Sequence, residues 1–111
     1  MRRSANIDRG FLKIIRVMYR WTVKKENIEE FVRTWEAGTL KIQTHCAGAM
    51  GSILLRSSEN PEHFFGMARW PSKEIWETAQ RLMPLLELQG PKPESEYFLD
   101  ELVDIIPKLV E

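Results

Sequence analysis

The chain has 111 residues, 43% of them hydrophobic, with sixteen basic residues balanced by sixteen acidic ones. That length points to one domain with a single core, and that apolar content excludes a disordered chain. The neutral balance leaves no electrostatic footprint for nucleic acid or an anionic membrane, so neither is expected as a partner.

Cys46 is the sole cysteine, which excludes an internal disulfide and a thiolate metal cluster. No metal site is expected, because His45 and His63 are too few for a histidine-based one. No apolar run approaches the roughly 20 residues of a membrane span. Met1-Arg2-Arg3 is charged like the start of a signal segment, yet no apolar stretch follows before Gly10. A cytoplasmic protein is expected.

Residues 1–10 are polar and unpatterned and read as a flexible N-terminal tail, leaving residues 11–111 as the single domain. Phe11 to Val23 alternates: Ile15, Val17, Tyr19, Trp21 and Val23 fall on one face, while Leu12, Ile14, Met18 and Thr22 share the other with Arg16 and Arg20. Period-two spacing with apolar residues on both faces predicts a long strand. Asn27 and Glu30 resemble a capping box. Ile28, Phe31, Val32, Trp35, Thr39 and Ile42 then recur at helical spacing, predicting a helix from about Ile28 to about Thr44 that Gly38 weakens. Gly48 suits a positive φ after the helix exit.

Gly51 to Arg56 and His63 to Trp70 are apolar runs around the polar turn Ser57–Glu62, which contains Asn60-Pro61. This pattern predicts a β-hairpin. Pro71 ends its second strand, Ser72 sits at an N-cap position, and Ile75, Trp76, Ala79, Leu82 and Met83 form the stripe of a second helix ending before Pro84. Residues 84–98, with Gly90, Pro91 and Pro93, read as a loop or arm. The last apolar stretch fits helix or strand. Tertiary logic favours a strand near Glu101 to Ile106, ended by Pro107.

The resulting order, β-α-β-β-α-β, is the ferredoxin-like split βαβ unit, an α+β fold with a four-stranded antiparallel sheet. Both helices would cover one sheet face. Phe65 and Met67 oppose Phe64, Ala68 and Trp70 on the same strand, so the uncovered face is apolar too. A face-to-face homodimer through the open sheet face is the economical way to bury it.

Tyr19-Arg20-Trp21, Phe31 with Trp35, Gly51-Ser52 and Ala68-Arg69-Trp70-Pro71-Ser72 carry a resemblance to the antibiotic-biosynthesis-monooxygenase-like family of the dimeric α/β-barrel superfamily. It covers Ile14 to about Ala79, with a weaker continuation at the final strand. The resemblance implies a cofactor-independent monooxygenase-like protein acting on a small aromatic or apolar molecule, with no bound cofactor. The alternative is a non-catalytic dimeric module of the same fold that binds a small ligand or a protein. The haem-degrading branch is similar in topology but uses an Asn on the first strand and a Trp and a His on the second helix. Here Met18, Tyr19 and Arg20 offer no Asn, and the second helix has Trp76 but no His, which argues against haem degradation.

Trp21, Trp35, Trp70 and Trp76 either line an aromatic, substrate-binding cavity between sheet and helices or pack the core, the commoner role. Arg20 and Arg69 lie within strands and either hold a phenolate or carboxylate there or form structural ion pairs, again the commoner case. Tyr19, Arg20 and His45 are the candidate catalytic residues, and Arg69 joins the tryptophans as a candidate substrate contact. For His45 the competing role is to bond the last helical carbonyls; His63 reads as an exposed turn residue. Cys46, near a helix C-terminus, gains nothing from the dipole toward a thiolate.

Overall fold

The computed structural model describes residues 13–106. The predicted N-terminal tail, Phe11, Leu12 and Pro107 lie outside the described residues. Within them the order is β1 (Ile15–Thr22), a 3-10 turn (Lys25–Asn27), α1 (Ile28–His45), β2 (Ser52–Arg56), β3 (His63–Trp70), α2 (Lys73–Leu82), a second 3-10 turn (Met83–Leu86) and β4 (Ser95–Asp100). The four strands form one antiparallel sheet in the order β2-β3-β1-β4. This is the ferredoxin-like α+β arrangement expected from the sequence.

Alternation along the strands sorts every residue to a face. Ile15, Val17 and Trp21 of β1 and Phe64, Ala68 and Trp70 of β3 are buried beneath the helices. One core cluster joins Trp21, Val23 and Phe64 to Phe31 of α1. The other joins Ile15, Val17, Ala68 and Trp70 to Cys46, just past α1, and Ala79 of α2. Gly66 lies between them on β3. A Cβ there would stand 3.0 Å from Trp21 Cζ3 and 3.4 Å from Trp35 Nε1, so only glycine lets both indoles lie against the strand.

The two helix starts are fastened differently. Ser72 Oγ accepts from the Ile75 amide at 3.2 Å, as its position predicts. Asn27 makes no side-chain cap; it closes the 3-10 turn instead, its amide donating to the Lys24 carbonyl at 2.8 Å, so the expected capping box does not form. Ser72→Ala is therefore expected to lower stability by about 1 kcal/mol, measured by equilibrium unfolding, and to leave any activity nearly intact. Gly48 takes φ 93°, where a side chain would also collide with Ile75, and turns the chain from α1 toward β2.

The last strand is the main departure. It begins at Ser95, inside the segment 84–98 expected to be a loop or arm, while residues 101–106 carry no regular structure. Both stretches hold short apolar runs beside acidic residues, but only the earlier one reaches its partners in register. Phe98 pairs with Val17 and meets Trp76 edge-on at 4.7 Å. Glu101 then sits just past the strand, where Arg69 grips its carboxylate at 2.9 and 3.0 Å and Arg16 Nε donates to it at 3.2 Å. The connection folds back on the sheet: Trp21 Nε1 donates to the Pro91 carbonyl at 3.1 Å.

The hydrogen bond from Arg69 and its charge, helped by Arg16, hold the Glu101 carboxyl below its ordinary value, against the opposing effect of burial. A depressed carboxyl stabilises the fold above its unfolded pKa, and that contribution is lost as pH falls through the folded value. Acidification below the ordinary carboxylate range should thus loosen residues 101–106 from the sheet. Faster amide exchange at Glu101 in acid, after correction for intrinsic rates, checks this.

Candidate functional site

Tyr19 is the one polar side chain of β1 that projects among the aromatic residues on the helix side, and it packs against both core clusters. Its ring centroid lies 5.9 Å from that of Trp21. Burial pushes the Tyr19 phenol above its ordinary pKa; the Trp76 indole offsets part of the rise, and the Glu96 carboxylate, opposite it on β4, adds to it. At neutral pH Tyr19 is therefore an un-ionised phenol. It can donate a hydrogen bond to a ligand oxygen, and it is no base.

The four indoles have different surroundings. Trp21 is bonded to Pro91, as above. Trp70 and Trp76 each carry a buried Nε1–H with no hydrogen-bond partner among the described residues. The Trp76 N–H lies near enough to favour the Tyr19 phenolate, yet makes no hydrogen bond of sound geometry to it. Both indoles belong to the cluster that Tyr19 joins. Orphaned buried donors are uncommon, since each costs the desolvation of its N–H. Trp35 instead faces an open cavity of about 470 Å³ between α1 and β2, walled by Ile28, Val32, Leu54 and Phe64 and rimmed by Glu36 and Arg56. A second cavity, of about 280 Å³, lies at the start of α2 against Ile15, Phe98 and Ser72, with Lys73 Nζ 5.5 Å from the Phe98 ring centre.

The remaining candidates are elsewhere. Arg20 and Arg69 project from the sheet face away from the helices, opposite the face that carries Tyr19. Arg69 forms the Glu101 ion pair, the structural role weighed from the sequence. Arg20 Nη2 lies 3.5 Å from His63 Nε2, and its Nε is buried without a partner. His45 is exposed at the end of α1, its Nδ1–H donating to the Lys41 carbonyl at 3.0 Å. The three candidate catalytic residues thus occupy three separate places. Cys46 is buried, and burial raises its thiol pKa, which leaves it a poor nucleophile. Among the described residues no group of His, Cys, Asp and Glu is arranged to hold a metal, and no helix is long and apolar enough to cross a membrane.

Sequence reasoning missed Gly66, Glu96 and Phe98. The glycine inside a strand pattern was a readable signal of close approach. The other two needed the register of β4.

Residues 14–84 match the family model for antibiotic biosynthesis monooxygenase. The chain belongs to that family. Solved structures share the fold of this family member. SnoaB, a cofactor-independent oxygenase from Streptomyces nogalater, superposes with a TM-score of 0.67 at 14% identity, over 86% of this chain and 99% of that one. A heme-degrading protein from Mycobacterium tuberculosis, in its heme-free form, gives 0.64 at 17% identity over 83% and 98%. A conserved protein from Methanosarcina mazei gives 0.60 at 20% identity over 78% and 91%. At these identities the likeness is one of fold. No curated protein matches in sequence.

Proposed function

We propose that this family member is a cofactor-independent monooxygenase-like protein for a small, flat phenolic molecule bound between sheet and helices. The observation that carries the reading is the pair of orphaned indole donors, Trp70 and Trp76, in the cluster that holds un-ionised Tyr19. Donors fixed in a dry site stabilise an oxyanion far better than water does. A phenolate held by them is electron-rich enough to pass an electron to dioxygen itself. At a ring methylene the balance closes without a cofactor: the carbon loses two hydrogens and gains one oxygen as a carbonyl, and the second oxygen leaves as water. Phe98, which touches Trp76 and also walls the 280 Å³ cavity, supports entry from that side.

Oxygen uptake with a hydroxylated anthrone tests this. Tyr19→Phe and Trp76→Phe should each slow turnover by about a hundredfold, the cost of one oxyanion donor. Unchanged uptake in both variants would overturn the assignment.

A second reading, a non-catalytic binding module, is favoured by one observation: the 470 Å³ cavity is lined by Trp35 but by none of Tyr19, Arg20, His45 or Trp70. Quenching of tryptophan fluorescence by the same compounds without oxygen uptake would select it. Both readings include a homodimer through the open sheet face. Its support is the exposure of Ile53 and Tyr97, each 51% accessible in the single chain, and of Leu55 and Leu99 beside them.

A further inference from the structure

The open sheet face is ordered in rungs. Its central rung, in register across all four strands, is Ile53–Met67–Met18–Tyr97, with no charge. On one side lies Leu55–Phe65–Arg20–Ser95; on the other, Arg69–Arg16–Leu99. The two flanking rungs differ in their ion pairing. Arg16 and Arg69 share Glu101 and Asp104. Arg20 has no carboxylate within ion-pair distance among the described residues; its neighbour His63 Nε2 must accept from it, since a guanidinium can only donate, and Asn60 Nδ2 also donates there at 3.3 Å. Glu94, at the same end, is engaged by Thr22 Oγ1 at 3.1 Å. A partly buried guanidinium without an anion is costly.

The missing anion exists at the other end of the face. Glu101 is held tightly, with 11% of its side chain accessible, whereas Asp104 is 36% accessible and its contacts to Arg16 and Arg69 are longer, 3.5 and 3.9 Å. Beside it Leu102 and Val103 stand 79% and 74% accessible. Resting on the homodimer reading above, we infer that the face receives a second copy in one orientation only. The twofold axis runs along the central rung, which carries Arg20 of each protomer over the partner's Arg69–Arg16–Leu99 rung, where it meets the Asp104 carboxylate paired there. This crossing stacks apolar rung on apolar rung and lays the partner's Leu102 and Val103 on the sheet. A twofold axis parallel to the strands would instead gather both Arg20 groups at one end with no free acid, a like-charge arrangement that selects against that docking.

Cysteine cross-linking of the full chain tests the orientation. Arg16 and Arg20 are four residues apart on a strand, about 13 Å, so cysteines at 20 and 104 are too distant to bridge within one chain. Arg20→Cys with Asp104→Cys should oxidise to a covalent dimer, and Arg20→Cys alone should not; Cys46 is buried and silent. In sedimentation equilibrium Arg20→Asp and Asp104→Arg should each weaken the dimer at least about tenfold, and the double reversal should recover it. A covalent dimer from Arg20→Cys alone, or additive losses in the double reversal with a dimeric wild type, would overturn the orientation and leave the homodimer standing. A wild-type chain that sediments as a monomer at tens of micromolar overturns both.

Discussion

Trp70→Ala is expected to destabilise the protein by roughly 3–5 kcal/mol, the usual cost of emptying a large aromatic site in a core. Trp70 is 2% exposed and joins Ile15, Val17, Ala68 and Ala79 in the cluster that binds α2 to the sheet. Pro71 follows at once and Ser72 caps α2, so the indole also fixes where the helix leaves the strand. For a domain of this size the loss corresponds to a fall in melting temperature of at least about 12 °C. Trp70→Phe should recover much of it, because the ring volume is largely kept and the orphaned N–H is removed. The measurement is thermal and urea unfolding of both variants beside ligand titration. If Trp70→Ala keeps its melting temperature and loses ligand binding, the indole is a wall of a site and its packing role is minor.

Met67→Asp should act on assembly. Met67 stands in the central apolar rung, paired with Met18 and Ile53, on the face that the proposed homodimer buries. A carboxylate there would be taken out of water with no cation placed to meet it; Arg16 Nη1, which approaches the Met67 sulfur at 3.9 Å, already serves the Glu101–Asp104 network. A penalty of about 4 kcal/mol weakens a dimer roughly a thousandfold. Light scattering at micromolar concentration should then report a monomer or aggregates. Met67→Leu, of similar volume, should leave the mass unchanged. A dimeric Met67→Asp would show that the copies meet elsewhere. Since Met67 faces away from the helices, its fold should survive, which separates this variant from Trp70→Ala.

Local chemistry was enough for much of the architecture. Alternation in Ile15–Trp21 and His63–Trp70 sorted each side chain to its face, because neighbours in a strand point to opposite sides whatever the partner. Pro71 and Ser72 set the strand-to-helix corner through a missing donor and a hydroxyl acceptor, both properties of single residues. The same alternation implies that Tyr19 and Arg20, adjacent in sequence, cannot serve one cavity, and the structure separates them across the sheet. Long-range pairing decided the rest. Ser95–Asp100 and 101–106 both hold short apolar runs beside acidic residues, and the choice fell on the strand that lets Phe98 reach Trp76 and Glu101 reach Arg69, contacts with residues far away in the chain. Asn27 lost its expected cap to a backbone turn. The orphaned Trp70 and Trp76 donors, and an Arg20 with no carboxylate in reach among the described residues, are likewise tertiary facts: whether a polar group has a partner depends on what folds against it, and no residue carries that information by itself.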